Sequence, residues 1–503
     1  MAERSTWQKV LLCSSVSHDF IQKSSAPFFA ILPIPLSYGY YIMGSLMDRI
    51  KSLFRKRANG KQSTAQPNPL QNDAPKEQQK PQQAVQKIAQ QQPLQTQQRA
   101  AVAITASSAS TGSTLTVMLQ NQSSSSIVYA YITGLAINNN NALFLLQADA
   151  KTPYYPPNPS ATGTQLTQNV SIPLGAPGNT VIATIPQIAG GRIWFSIGAP
   201  LVFAVNPGPG LVEPSVFNPS DPNINTNFGF AEFTFNSSQL FANISYVDFV
   251  GPPISLTLTD TTGLVQHVSG LPANGMQTIA NGLTAQTAKD TRRWSSLIVN
   301  NSSGQLLRIL SPNSGILLNP TWFQTYWTDY VNAVYAEYAQ VPPAGQTAQL
   351  LTVDTQASFG NVTGYVGSQG NLNFGNGGLF AKPTSADIFS CSTGPFATGS
   401  NAETNTIIPR LAAAFNRSTL LLAPHDTPDG VGPAQYYITN TTTTATNHYS
   451  RIVHAANLDG FGYAFPYDDV TPDNGIPQEG AVYSSSPALF TLAVGGNNAY
   501  AST

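Results

Sequence analysis

Two carboxylates, Glu232 and Asp248, stand sixteen positions apart in FAEFTFNSSQLFANISYVDFVGPP, the stretch from Phe230 to Pro253. A pair of carboxyl groups facing each other across a groove is the minimum equipment for breaking a glycosidic bond. One, kept protonated, donates to the leaving oxygen, and the other activates water or attacks the sugar. The spacing allows two strands and a turn. Side chains alternate faces along a strand, so Phe233 and Phe235 share one face and Glu232, Thr234 and Asn236 the other. That packs an aromatic row into a core and leaves a polar row with one acid on an open surface. In the second run Ile244, Tyr246 and Asp248 share a face, with Asn243, Ser245 and Val247 opposite. Asp248 then ends its row beside Gly251-Pro252-Pro253, where a strand opens into a cleft. Acids on sheet surfaces are usually just solvated, so the pair alone does not separate catalysis from a plain polar face.

A second block strengthens the reading: Asn447-His448-Tyr449-Ser450-Arg451-Ile452-Val453-His454, then Asp459-Gly460, then Tyr463-Ala464-Phe465-Pro466-Tyr467-Asp468-Asp469. With Glu232-Phe233-Thr234, Asn236 and Tyr246-Val247-Asp248, these blocks resemble glycoside hydrolase family 64, the laminaripentaose-producing β-1,3-glucanases. More distantly they resemble the thaumatin-like proteins. The resemblance spans about residues 100–503, with its separated blocks in the right order. It implies an endo-β-1,3-glucanase in which Glu232 is the general acid and Asp248 the general base of an inverting, single-displacement hydrolysis. It carries sugar binding over to Thr234, Asn236, Phe241 and Ser245. At the last two the chain departs from the family pattern, which has Trp and Thr. Phe keeps a face for a sugar ring and lacks the indole N–H, which changes what that subsite can bond. The fold implied is a thaumatin-like β-sandwich or barrel domain plus a mixed α/β domain, flanking a wide groove.

Composition agrees with a mainly β chain. Only 9% of the 503 residues are charged, while Gly (39) and Pro (38) are abundant, which favours strands and loops over helices. The net charge of −1 hides an asymmetry: residues 1–99 hold 13 Lys and Arg against 5 Asp and Glu, and the remainder 10 against 19. An acidic body does not suit a nucleic-acid surface. It suits a groove for neutral sugars, whose hydroxyls donate to carboxylates. Cys13 and Cys391 are the only cysteines, so a disulfide framework of the thaumatin kind is excluded and the redox compartment is unreadable. No CxxC, HExxH or phosphate-cradling glycine loop occurs, so no metal and no cofactor are expected. His448 and His454 read as hydrogen-bonded structural residues, not ligands.

Residues 1–99 read as a tail. The apolar run Val10–Cys13 is too short for a signal peptide, and Pro27, Pro33 and Pro35 argue against a membrane span. Asp48 to Arg57 is a short basic amphipathic stretch, either solvated or in contact with an anionic membrane. Residues 1–42 are expected to be a gene-model extension ahead of Met43 or Met47. Gln78 to Arg99 contains eleven glutamines and almost nothing to bury, the composition of a disordered spacer.

The expected domains are a β-barrel part over 100–269, a mixed α/β domain over 270–435, and a return to the barrel over 436–503; the return is implied by the resemblance. Strands are predicted at Ala101–Thr105, Thr114–Gln120, Ile127–Thr133, Ala142–Leu146 and Gly190–Ser196, with Arg192 serving either the groove or a core-edge acid. Pro207–Asn227 is a long loop leading into the Glu232 strand. Long loops are commonly functional walls, so Glu213 and Asp221 either line the cleft or, for Asp221 before Pro222, build a turn. Helices are predicted at Gly275–Asp290 and Pro320–Ala339, the latter with an aromatic stripe (Phe323, Trp327, Tyr330, Tyr338) that reads as core. Asp468 and Asp469 follow an aromatic-Pro turn and either cap a turn within Asp-Asp-Val-Thr-Pro or line the groove; at least one of them is expected to line the cleft in a supporting, substrate-binding role.

For the mechanism, Glu232 must be kept protonated by desolvation and by repulsion from Asp248, and inversion needs the two carboxyls about 6.5–9.5 Å apart. The competing reading is a thaumatin-like protein that binds glucan without cleaving it. The partner expected is β-1,3-glucan, with no nucleic acid, no integral membrane span and a monomeric chain. Wall glucan as substrate points outside the cell, yet sequons at Asn236 and Asn243 fall inside the proposed site and argue against a glycosylating route.

Overall fold

The computed structural model describes residues 111–341, 347–439, 445–473 and 475–496; the predicted N-terminal tail and the Ala101–Thr105 strand lie outside them. The site rests on an eight-stranded sheet. Its order is Ala481–Ser484, Leu240–Ile244, Asn227–Phe235, Ile188–Ile197, Val128–Ala136, Ala142–Leu146 and Pro153–Tyr154, with Ile172–Pro173 also paired to Val128–Ala136. A five-stranded sheet runs Val265–Val268, Ile254–Asp260, Pro487–Val494, Thr114–Asn121 and Thr180–Pro186. The last two strands of the described chain thus enter sheets built by its first half, one in each.

Alternation produces these layers. In Ile254–Asp260, Leu256 and Leu258 are buried while Thr257 and Thr259 face outward. Leu115, Val117, Leu119, Phe490 and Leu492 of one sheet and Phe233, Phe235, Leu240, Ala242 and Val482 of the other join a single hydrophobic core. Each large side chain buried there contributes about 1.5–3 kcal/mol. Phe233 lies across Gly191 on the neighbouring strand. A Cβ at Gly191 would sit 2.4 Å from the Phe233 ring, so only glycine admits the ring at that point.

Helices and a second, smaller sheet occupy the middle of the chain. Gly275–Asp290 is a helix over the predicted bounds. The single helix predicted at Pro320–Ala339 is instead two, Pro312–Leu318 and Thr328–Glu337, with turns between them. Phe323 adopts a left-handed φ of 58°, which no α-helix accommodates. The proline start signal belongs to Pro312, ahead of which Ser311 Oγ accepts from the Ser314 amide at 3.2 Å. The aromatic stripe is core as expected: Trp327, Tyr330, Val334 and Tyr338 have no exposed surface. A further helix, with Pro409 inside it, spans Ala402–Arg417 and is capped by Asn401. A five-stranded mixed sheet, Leu379–Phe380, Leu372–Asn373, Asn361–Val366, Leu351–Asp354 and Asp426–Thr427, completes this part. No described helix is long and apolar enough to cross a membrane.

Candidate active site

A β-bulge sets up the site. Ile188–Ile197 slips register against both neighbours, between Thr133 and Leu135 on one side and between Phe233 and Phe235 on the other. Gly190, with φ of 54°, lies in the slip. Bulges bend a strand and re-aim the side chains next to them, and the next side chain here is Arg192. Arg192 pairs in register with Glu232 and donates to its Oε1 at 3.1 Å, while its other terminal nitrogen donates to Glu213. The guanidinium lies 4.5 Å from the centroid of the Phe230 ring, and Phe230 packs against Trp194 and Phe249. Burial alone would lower the Arg192 guanidinium, and the charges of Glu213, Glu232 and Asp248 outweigh it. Arg192 therefore serves the acidic face. Glu213 reaches the cluster from the Gly210–Val212 strand end in the long loop, whereas Asp221 builds the turn by accepting from the amides of Ser215 and Asn223.

Asp248 does not end a continuous strand. Pairing stops at Ile244, Ser245 makes a lone bridge to Tyr463, and Asp248 occupies a bend before Phe249–Val250. Its carbonyl accepts from the Ser311 amide at 2.9 Å, which ties the bend to the helix that Ser311 caps. The Asp248 carboxyl is raised, first by burial and then by the Glu232 charge, with Arg192 opposing. Glu213 is raised in the same way, by burial and by both other acids against the pull of Arg192. Three carboxyl groups and one guanidinium thus form one coupled set, partly open to solvent at Arg192, Glu213 and Glu232. A base and an acid positioned around one sugar bond are what hydrolysis of a glycoside requires.

Of the predicted sugar-binding residues, two share the face of Glu232. Thr234 and Phe241 are register partners, half-buried, on the face that carries Glu232. Asn236 closes the turn, its Oδ1 accepting from the amides of Ser238 and Gln239. Ser245 is buried under its bridge to Tyr463. The sequon Asn243 is 4% exposed.

Asp468 corrects the sequence reading. Its side chain has no exposed surface, and its carboxylate is taken up by Arg417 at 2.9 Å and His454 at 2.9 Å, with the Ala464 amide at 3.2 Å. It is a buried structural node and not a wall of the cleft. The Asp468-Asp469-Val470-Thr471-Pro472 string looked like an exposed turn because its partner Arg417 lies 51 positions upstream. Asp469 is buried as well, at 8%. Burial raises the Tyr463 phenol well above its ordinary value, and the charges of Asp469, Glu232 and Glu479 add to that, so Asp469 lies toward the acidic set. The two histidines stand on a helix, His448–Ala456. His448 Nδ1 accepts from Arg451, and His454 bridges Asp468 and the Gly460 carbonyl. Among the described residues, Asp354, at the end of its strand, and Asp429 and Asp473, in turns, bring carboxylate oxygens within 4.8 Å of one another, close enough for a cation.

The β-1,3-glucanase family model matches residues 113–494. The chain is 26% identical over 310 residues to a glucan endo-1,3-beta-glucosidase of Arthrobacter sp. (strain YCWD3), covering 60% of this chain and 52% of that one. A glucan endo-1,3-beta-glucosidase of Cellulosimicrobium cellulans gives 26% over 308 residues, with the same coverage. The chain therefore spans about half the length of these curated relatives. Among solved structures, a laminaripentaose-producing β-1,3-glucanase in complex with laminaritetraose superposes with a TM-score of 0.65 and 29% identity, covering 76% of this chain and 99% of that one.

Proposed function

The chain belongs to glycoside hydrolase family 64, the β-1,3-glucanases, and from that premise we propose that it is an endo-β-1,3-glucanase acting as a monomer. The observation that carries the reading is the coupled set of Glu232, Asp248, Glu213 and Arg192 on the open face of the eight-stranded sheet. A glucan strand lies along this face with its scissile oxygen beside Glu232. Glu232 gives its proton to the leaving oxygen while Asp248, ionised, takes one from a water on the opposite face of the sugar. A water-sized gap between the two, about 6.5–9.5 Å, makes the displacement single and inverting. Arg192 holds Glu232 in place and carries the positive charge that lets three acids share one site. Thr234, Asn236, Phe241 and Ser245 seat the sugars next to the scissile bond. The described residues within 100–269 and 436–503 form the thaumatin-like domain and those within 270–435 the mixed domain on the far side of the groove. The entry of Ala481–Ser484 and Pro487–Val494 into the two large sheets supports that division.

The purified protein is expected to release reducing sugar from laminarin and curdlan, and none from carboxymethylcellulose or xylan. Binding of laminarin without release would leave a glucan-binding protein, and equal release from all four would remove the linkage specificity.

The acid side of the pH profile follows from Asp248. The base works ionised, and burial raises its carboxyl, so activity is lost as pH falls through a value above the ordinary Asp range of about 3.9. The acid limb of kcat/KM is therefore expected above that value. Arg192 opposes the rise, so Arg192→Gln should move the limb further up. A limb at or below pH 4 in the parent, or one that stays put in the variant, would assign the base elsewhere.

A further inference from the structure

We propose that Tyr483, on the edge strand of the eight-stranded sheet, is an aromatic subsite for the glucan chain beyond the sugars held at Phe241. The inference rests on the glucanase reading above.

Register alone makes the row. Thr234 pairs with Phe241, and Phe241 pairs with Tyr483, with no slip across the three strands. Register partners present their side chains to the same face, and positions two apart on a strand share a face. Thr234 therefore lies on the Glu232 face, and Phe241 and Tyr483 with it. Burial agrees. The opposite rows, Phe233 and Phe235, Leu240 and Ala242, and Val482, are core, while Tyr483 is 52% exposed.

The edge is held by a side chain instead of a strand. Gln266 accepts from the Tyr483 amide at 3.2 Å and donates to the Tyr483 carbonyl at 2.6 Å. Both backbone groups of Tyr483 therefore point away from Leu240–Ile244, so Tyr483 and Phe241 form a non-hydrogen-bonded pair, the kind whose side chains come closest. Gln266 thereby anchors the Tyr483 backbone and also blunts the edge against further strand pairing.

A large amphipathic ring, half-exposed beside an acidic catalytic row, is a poor structural investment and a good sugar platform. Its face takes the C–H side of a pyranose, and its hydroxyl reaches the sugar's own hydroxyls. Two strand spacings and two residues along the strand put Tyr483 roughly 12 Å from Glu232, backbone to backbone. That distance is more than one sugar unit from the scissile bond, so the subsite serves long chains.

The test uses a β-1,3-linked glucohexaose and calorimetry in a Glu232→Gln background, where binding is read without turnover. Tyr483→Ala is expected to weaken hexaose binding about five- to tenfold and leave β-1,3-linked glucobiose binding unchanged. Tyr483→Phe, which keeps the face, should stay within about threefold of the parent. The exposed position leaves folding intact, checked by thermal unfolding of each variant. Hexaose binding unchanged in Tyr483→Ala, or an equal loss in Tyr483→Phe, would overturn the subsite. If the wild type released no sugar yet hexaose binding fell in Tyr483→Ala, the subsite would stand and the hydrolysis reading would go.

Discussion

Replacing Glu232 by Gln is expected to cut kcat on laminarin by about 10²–10⁴-fold, the usual worth of a positioned general acid, while laminarin still binds. The amide has the shape of the acid, and its oxygen still accepts from Arg192, so the ion-paired scaffold around Phe230 and Glu213 is preserved. What is lost is the proton, and with it any route to a neutral leaving group. Asp248→Asn should give a loss of the same order for the opposite reason. The amide cannot take a proton from water, while the bend that Ser311 anchors through the Asp248 carbonyl stays in place. The check is initial rate against laminarin concentration, with binding measured separately. A loss confined to KM would mean that these acids only hold the sugar.

The second large effect lies outside the groove. Asp468→Asn is expected to destabilise the fold by about 3–5 kcal/mol, because it leaves Arg417 buried and uncompensated. Arg417 is 2% exposed and donates to Asp468 and to the Val470 carbonyl, so no water can replace the lost charge. Burial alone would raise the Asp468 carboxyl, and His454 and Arg417 outweigh it and hold it below its ordinary value. The sign follows directly: the stabilisation is complete above the unfolded value of about 3.9 and is lost as pH falls below it through the folded one. Denaturant unfolding at neutral pH measures the loss. An unfolding free energy lowered by less than about 1 kcal/mol, with activity gone, would return Asp468 to the groove.

The contrast between these two acids shows what the sequence makes legible. The Glu232 face could be read because its information is local: Phe233 and Phe235 alternate with Glu232 and Thr234, and burial follows that alternation. Asp248 could be picked by type, but its bend depends on the Ser311 amide, far along the chain. Arg192 announced itself through Gly190 and Gly191, which make the bulge, yet its partners lie 21 and 40 positions away and left two roles open. Asp468 was assigned to the cleft because an Asp-Asp string after an aromatic-Pro turn reads as exposed, and nothing nearby says that Arg417 will enclose it. The aromatic stripe around Trp327 gave the right burial and the wrong helix, since periodicity carries no sign of the left-handed turn at Phe323. Tyr483 was silent in the sequence. Its place beside Phe241 comes only from pairing between strands that are far apart along the chain.

The most direct test of the central claim is the anomer first released when the purified protein cleaves laminarin, followed by proton NMR before mutarotation. A proton donor at Glu232 and a water activator at Asp248 acting in one displacement predict that the new reducing end appears as the α anomer. First appearance of the β anomer would mean a covalent glycosyl-enzyme and contradict the assignment of Asp248 as base.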